Sequence, residues 1–143
     1  MYQNILLPLD LGEEALTALA LEQVKSVIRS EETRVRLMYV VVQIPDFILN
    51  RFNPQTNQFD DVMSEELQRR LQALAEQLPL AAENISVVVR QGAIYDEILK
   101  EAACIDADLI LIGSRRPSMK TYLLGSNAAA IVRHAQTSVL IAR

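Results

Sequence analysis

The chain has one cysteine, Cys104, so no disulfide can close within it. It has one histidine, His134, so no second imidazole exists for a separate Ser–His or Cys–His couple. No run of five basic residues occurs, the net charge is −4 and the pI is about 5.0. No global positive field therefore invites nucleic acid. The apolar runs fall far short of the ~20 residues that a membrane-spanning helix needs. The first residues, Met1-Tyr-Gln-Asn4, carry no basic stretch ahead of the apolar run, which reads as a strand rather than a signal peptide. No HExxH, GxSxG, CxxC or GxxxxGK[ST] pattern is found. No internal repeat, linker or low-complexity tract appears either. These absences lead us to expect a soluble cytoplasmic protein with neither a nucleic-acid nor a membrane partner.

What is present is apolar surface, which makes up half of the 143 residues. That length and composition suit one domain, residues 1–143, around one core. Ile5-Leu-Leu-Pro-Leu9 reads as a buried strand ended by Asp10 and Gly12. Glu13–Arg29 carries Leu16, Leu19, Ala20, Val24, Val27 and Ile28 at helical spacing. Arg34–Val42 is a second strand, and Gln43–Phe59, with Pro45 and Pro54, is a loop. Asp60–Leu78 is a helix with Leu67, Leu71, Leu74 and Leu78 on one face, and Asp60, Asp61, Glu65 and Glu66 on a solvated one. Ile85–Val89 is a third strand, Ile94–Cys104 a helix, and Leu109–Ile112 a fourth strand. Gly125–His134 is a helix and Ser138–Ala142 a fifth strand. Cys104 is expected to pack at the end of its helix. His134 suits the last turn of its own helix, where a cation is favoured.

Strict alternation of strand and helix implies α/β architecture: an open five-stranded parallel sheet with helices on both faces. Two strand orders are common. Order 2-1-3-4-5 opens its ligand crevice between strands 1 and 3, and order 3-2-1-4-5 between strands 1 and 4. The loop after strand 3, Gln91-Gly-Ala93, is short and uncharged. The loop after strand 4 reads Gly113-Ser-Arg-Arg-Pro117 and leads to Gly125-Ser126-Asn127 at a helix start. The order 3-2-1-4-5 follows, with Asp10 and Gly113 facing each other across the crevice.

That last stretch carries the chemistry. Backbone N–H groups at a helix start, with the helix dipole behind them, bind phosphate. The planar guanidiniums of Arg115 and Arg116 match phosphate oxygens. Pro117 biases Arg116 toward an extended conformation. Gly113 either lets a backbone approach a ligand or simply allows a turn. Asp10 is a ribose anchor, a metal ligand beside phosphates, or a cap for the helix that follows. The combination points to a phosphorylated small molecule, a nucleotide first of all.

These residues resemble the universal stress protein family over essentially the whole chain. The likeness rests on Ile5-Leu-Leu-Pro-Leu-Asp10, Leu111-Ile-Gly-Ser-Arg-Arg-Pro117, Leu123-Leu-Gly-Ser-Asn127, Val132-Arg-His-Ala135 and Ser138-Val-Leu-Ile141. The ATP-binding branch of that family carries Gly-x2-Gly-x9-Gly-[Ser/Thr] after strand 4. Gly113, Gly125 and Ser126 fill three of those positions. Arg116 or Pro117 stands where the second glycine would be, and the loop is one residue shorter. The shortened loop is similar to that of the family's F- and G-type subgroup. The resemblance implies the 3-2-1-4-5 fold, a homodimer, and binding of ATP, ADP or AMP, with Mg²⁺ as a companion held at Asp10. By position it implies that Pro8, Leu9 and Asp10 line the nucleoside and that Val40 offers backbone hydrogen bonds to adenine. Ile112 and Gly113 would flank the ribose and α-phosphate. Ser114, Arg115, Arg116 and Pro117, with Gly125, Ser126 and Asn127, would hold the phosphate chain.

The function expected is a stress-response regulator that is not an enzyme, with slow ATP hydrolysis as the alternative. The related ATP-pyrophosphatase folds need Ser-Gly-Gly-x-Asp-Ser after strand 1, where this chain has Asp10-Leu-Gly-Glu-Glu14. A phospho-receiver domain needs an acceptor aspartate after strand 3, where this chain has Gln91-Gly92. Strand 5 is expected at the sheet edge, where an apolar strand invites pairing with a second copy through Val139, Leu140 and Ile141.

Overall fold

The computed structural model describes residues 1–42, 61–114 and 125–143. The expected loop Gln43–Phe59, and Asp60 with it, lie outside the described residues, as do Arg115, Arg116 and Pro117. The chain runs β1 (Asn4–Pro8), α1 (Glu14–Val27), β2 (Arg34–Val42), α2 (Asp61–Ala75), β3 (Ile85–Gly92), α3 (Ile94–Cys104), β4 (Leu109–Gly113), α4 (Ser126–His134) and β5 (Ser138–Ala142). The five strands form one parallel sheet in the order β3-β2-β1-β4-β5. This is the expected α/β fold, with β3 and β5 at the edges.

Apolar side chains leave both faces of the sheet in turn, as the two-residue strand period requires. Ile5, Leu7, Leu37, Leu109 and Leu111 pack under Ala20, Leu21 and Val24 of α1 and Leu71 and Ala75 of α2. Leu6, Met38, Val40 and Ile110 pack under Ile98 and Ala102 of α3 and Ile131 of α4. The middles of the central strands, Ile5–Leu7, Leu37–Met38 and Leu109–Ile112, are continuously apolar because both faces are covered. No helix among the described residues is long and apolar enough to cross a membrane.

Two expectations need correction. β3 runs on to Gly92 rather than stopping at Val89, because its register with β2 continues through Val40↔Arg90 and Val42↔Gly92. At an edge, polar Arg90 and Gln91 are no reason to stop. Cys104 is exposed rather than packed. One charge is buried on the inner side of α3: Glu101 is 1% exposed. Its Oε1 accepts from Arg36 Nη1 at 2.6 Å, and its Oε2 from Arg90 Nε and Nη2 at 3.0 and 2.6 Å. Arg36 Nε also donates to Ser86 Oγ at 2.9 Å. Burial works to raise the Glu101 pKa, but hydrogen bonds and charge from Arg36 and Arg90 outweigh it and hold the carboxyl below its ordinary range. His134 ends α4, as expected, and its ring stacks on Tyr95 of α3 with centroids 6.5 Å apart.

Candidate functional site

The sheet opens between β1 and β4, and Pro8 explains why. The Gln3 carbonyl accepts from Arg34, and Leu9 N–H donates to Met38, so odd residues of this segment turn their backbone groups toward β2. The Asn4 carbonyl accepts from Asp108 N–H, so even residues turn toward β4. The nitrogen of Pro8 therefore faces β4, and it has no hydrogen to donate. The β1–β4 pairing stops at Leu6↔Ile110, two residues before it. Beyond that point lies a crevice of about 500 Å³, within the ~300–1,000 Å³ usual for small-molecule sites.

Pro8, Leu9, Asp10, Val40, Ile112, Gly113 and Asn127 all border this crevice. The structure thus brings together seven of the positions singled out in the sequence, and Asp10 and Gly113 do meet across the opening. Ser114, Gly125 and Ser126 are not among its walls. Ser114 N–H donates instead to the Ala142 carbonyl at 2.8 Å.

Val40 presents the crevice with a matched donor and acceptor. Met38 turns its carbonyl to Leu9 N–H at 2.8 Å. Two residues on, Val40 turns its N–H and C=O the same way, past the last β1–β2 pair, Pro8↔Met38. Among the described residues no backbone group takes them up, although Val40 is only 8% exposed. A buried peptide group without a partner is rare unless something else fills its bonds.

Asp10 is the one charged side chain on the described walls. Its Oδ1 accepts from Gly12 N–H at 3.0 Å. The cap position of α1 belongs to Glu13, so the helix-cap reading of Asp10 fails: its side chain closes a tight turn instead. Among the described residues no group of three or more His, Cys, Asp or Glu could hold a metal ion. A single carboxylate does suit Mg²⁺, which keeps several waters and takes its other ligands from phosphates.

The two glycines differ in what they do. A Cβ on Gly113 would lie 2.8 Å from the Leu16 carbonyl oxygen of α1. That glycine is needed so that α1 can lie close on β4. Gly125 has φ −57° and ψ 158°, an extended conformation open to any residue, and nothing described lies within 4 Å of its would-be Cβ. It caps α4 without a side-chain bond. The first intrahelical bond of α4 is Ala129 N–H to the Gly125 carbonyl. The N–H groups of Ser126, Asn127 and Ala128 precede it, and the last two residues border the crevice.

Sequence reasoning missed Tyr39, Ile94, Ile98 and Ile131, which complete an apolar wall. Their core-like spacing hid them, since a wall of the crevice and the top of the core are the same surface.

A family model described as the universal stress protein family matches residues 1–143. "Universal stress protein G" of Escherichia coli O157:H7 is 32% identical over 143 residues, covering all of both chains. The solved structure of MJ0577, a universal stress protein of Methanocaldococcus jannaschii, superposes with a TM-score of 0.76 at 23% identity, over 99% of this chain and 96% of that one. A universal stress protein solved in complex with cAMP superposes with a TM-score of 0.62 at 21% identity, over 99% of this chain and 97% of that one.

Proposed function

The chain belongs to the universal stress protein family, and from that premise we propose that its crevice binds an adenine nucleotide, ATP in the first place. The observation that carries this reading is the Val40 N–H and C=O pair, buried and facing the crevice past the end of the β1–β2 ladder. One acceptor and one donor on an adenine edge would complete both bonds. Apolar Ile94, Ile98 and Ile112 would sandwich the base. Asp10 would take a ribose hydroxyl or a Mg²⁺ shared with the phosphates. The phosphates would run toward the first turn of α4, where free N–H groups and the helix dipole favour an anion. Arg115 and Arg116 would supply the cations that the described walls lack. The structural relative that holds cAMP supports an adenine ligand in this fold.

Nucleotide occupancy would shift conformation or partner affinity, and so report on stress. The role is that of a cytoplasmic regulator rather than an enzyme. Slow hydrolysis is the second reading, motivated by the Asp10 carboxylate at the phosphate end. Titration calorimetry with ATP, with and without Mg²⁺, tests the site: heat of binding is expected, and its absence in both overturns the reading. Steady-state ADP release separates regulator from ATPase. β5, at the sheet edge with Val139, Leu140 and Ile141 half-buried, is where a homodimer would form, each edge pairing with its copy. Light scattering on the wild type and on Leu140→Pro measures that. A monomeric wild type at micromolar concentration, or a folded and fully dimeric variant, overturns the assembly.

A further inference from the structure

We propose that Thr17 and Arg70 are positioning residues for Asp10, holding the Leu9–Gly12 turn at the crevice from two different helices. The inference rests on the crevice being the nucleotide site. The turn leaves the sheet after its last ladder bond, Leu9 N–H to Met38. Its carboxylate can then be placed only by local bonds. Thr17 of α1, itself buried, donates its hydroxyl to the Asp10 carbonyl at 2.8 Å, which also accepts Glu13 N–H at 3.0 Å. Arg70 of α2 reaches across to donate Nη2 to the Leu11 carbonyl at 2.9 Å. Asp10 Oδ1 then closes the turn on Gly12 N–H. Behind the turn, Leu11, Thr17 and Arg70 border a second cavity of about 360 Å³ between α1 and α2. On that side hydrogen bonds hold the turn, rather than continuous packing. The two donors fix two successive carbonyls, and that sets the direction in which the Asp10 side chain leaves the backbone.

The arrangement also explains two side chains that the sequence pattern leaves without a role. Thr17 is a β-branched polar residue among the leucines and alanines of α1. A buried hydroxyl needs a partner, and the one it has belongs to Asp10. Arg70 stands on the polar side of α2, where a solvated arginine is the ordinary expectation, yet its guanidinium is spent on a backbone carbonyl of the turn. Movement of α2 relative to α1 would therefore be felt at Asp10.

The test measures two things on the full chain: amide exchange at Gly12, and affinity for adenosine and for Mg-ATP. Removing the Thr17 hydroxyl by Thr17→Val should weaken adenosine binding and speed Gly12 exchange, each by roughly tenfold, the scale of one hydrogen bond. Thr17→Ser should restore both. Arg70→Gln, at an exposed position, should act in the same direction and guards against a Thr17 variant that fails to fold. In an Asp10→Ala background, neither change should weaken binding further, because its effect passes through Asp10. Losses that add independently of Asp10, or Gly12 exchange unmoved in both single variants, would overturn the proposal. Should the wild type bind neither ligand, the nucleotide reading itself falls. The Gly12 exchange still decides whether the clamp exists.

Discussion

The two ends of the sheet handle charge and hydrogen bonding in opposite ways. At the amino ends of β1 and β4 the described charge and backbone groups are tied together. Asp108 accepts from Gln3 N–H at 2.7 Å and Asn4 N–H at 3.0 Å, and its own N–H bonds the Asn4 carbonyl, stapling β4 to β1. Away from the crevice, on the α3 face, Glu101 lies between Arg36 in the amino half of β2 and Arg90 near the carboxyl end of β3, fastening α3 to both strands. The segment between α3 and β4 turns through Asp106 at φ 51°, with Ala107 N–H returning to Ala102 and Asp106 N–H to Ala103. This is a glycine-type helix ending that aspartate tolerates. At the carboxyl ends the ladder breaks at Pro8, no described backbone group takes up the Val40 pair, and Asp10 is held by a turn with its carboxylate at an open crevice. A charge that serves structure is saturated by partners, whereas one poised for a ligand is only half engaged.

The comparison breaks most visibly at Glu101. Glu101→Ala removes the partner of two guanidiniums, but Arg36 and Arg90 are about a third and nearly half exposed, so water takes up part of the loss and the cost should be roughly 1.5–3 kcal/mol, the scale of hydrogen bonds to a charged group. The urea midpoint should fall accordingly, while nucleotide affinity per folded molecule stays the same. The pH response follows from the depressed pKa. A carboxyl more acidic folded than unfolded stabilises the protein above its unfolded value of about 4.3 and loses that stabilisation as pH falls through the folded value. Stability should be level with respect to this group near neutrality and drop under acid conditions below pH ~4. In Glu101→Gln that share of the acid slope should vanish, as urea melts at stepped pH would read.

Replacing Arg115 and Arg116 with alanine should weaken ATP binding by roughly 1–3 kcal/mol, the range of charge-assisted hydrogen bonds. Adenosine binding and the urea midpoint should not change. An equal loss for both ligands in calorimetry would move the pair from the phosphate site to the fold. Asp108→Ala is the converse. Two backbone amides lose their acceptor at a partly solvated place, costing about 1–2 kcal/mol of stability, and nucleotide affinity should hold.

Much of this contrast was legible in the sequence, and its limits are physical. Alternation of apolar runs with helical spacing fixed the element order, and the uncharged Gln91-Gly-Ala93 loop against Gly113-Ser-Arg-Arg-Pro117 chose between strand orders correctly. Pro8, Leu9, Asp10, Val40, Ile112, Gly113 and Asn127 were all placed at the crevice that forms. What the pattern could not show were pairings between distant elements. Arg36, Arg90 and Glu101 are ordinary surface residues until the sheet register sets Val40 beside Arg90 and α3 crosses above. Nor could the pattern show that the carbonyl of Leu16, nearly a hundred residues earlier, excludes a side chain at Gly113. The same blindness left Arg70 and Thr17 without roles.

A small effect on the fold is also expected of Gly125→Val, and its smallness makes it informative. The backbone there, φ −57° and ψ 158°, is one that valine adopts readily. With nothing described within 4 Å of the new Cβ, the side chain meets no wall. Glycine also loses more backbone freedom on folding than valine does. Valine is a poorer N-cap than glycine, and Gly125 is the N-cap of α4, but the backbone term offsets part of that loss, so the change in stability should stay within about 1 kcal/mol. Any loss of ATP affinity in this variant cannot then be charged to a damaged fold. It would come from crowding of the ligand where the phosphates approach the first turn of α4. Calorimetry of ATP against adenosine reads the difference directly: ATP weakened with adenosine unchanged puts the phosphate chain at Gly125. Both unchanged would place it on the far side of the crevice, away from the helix start.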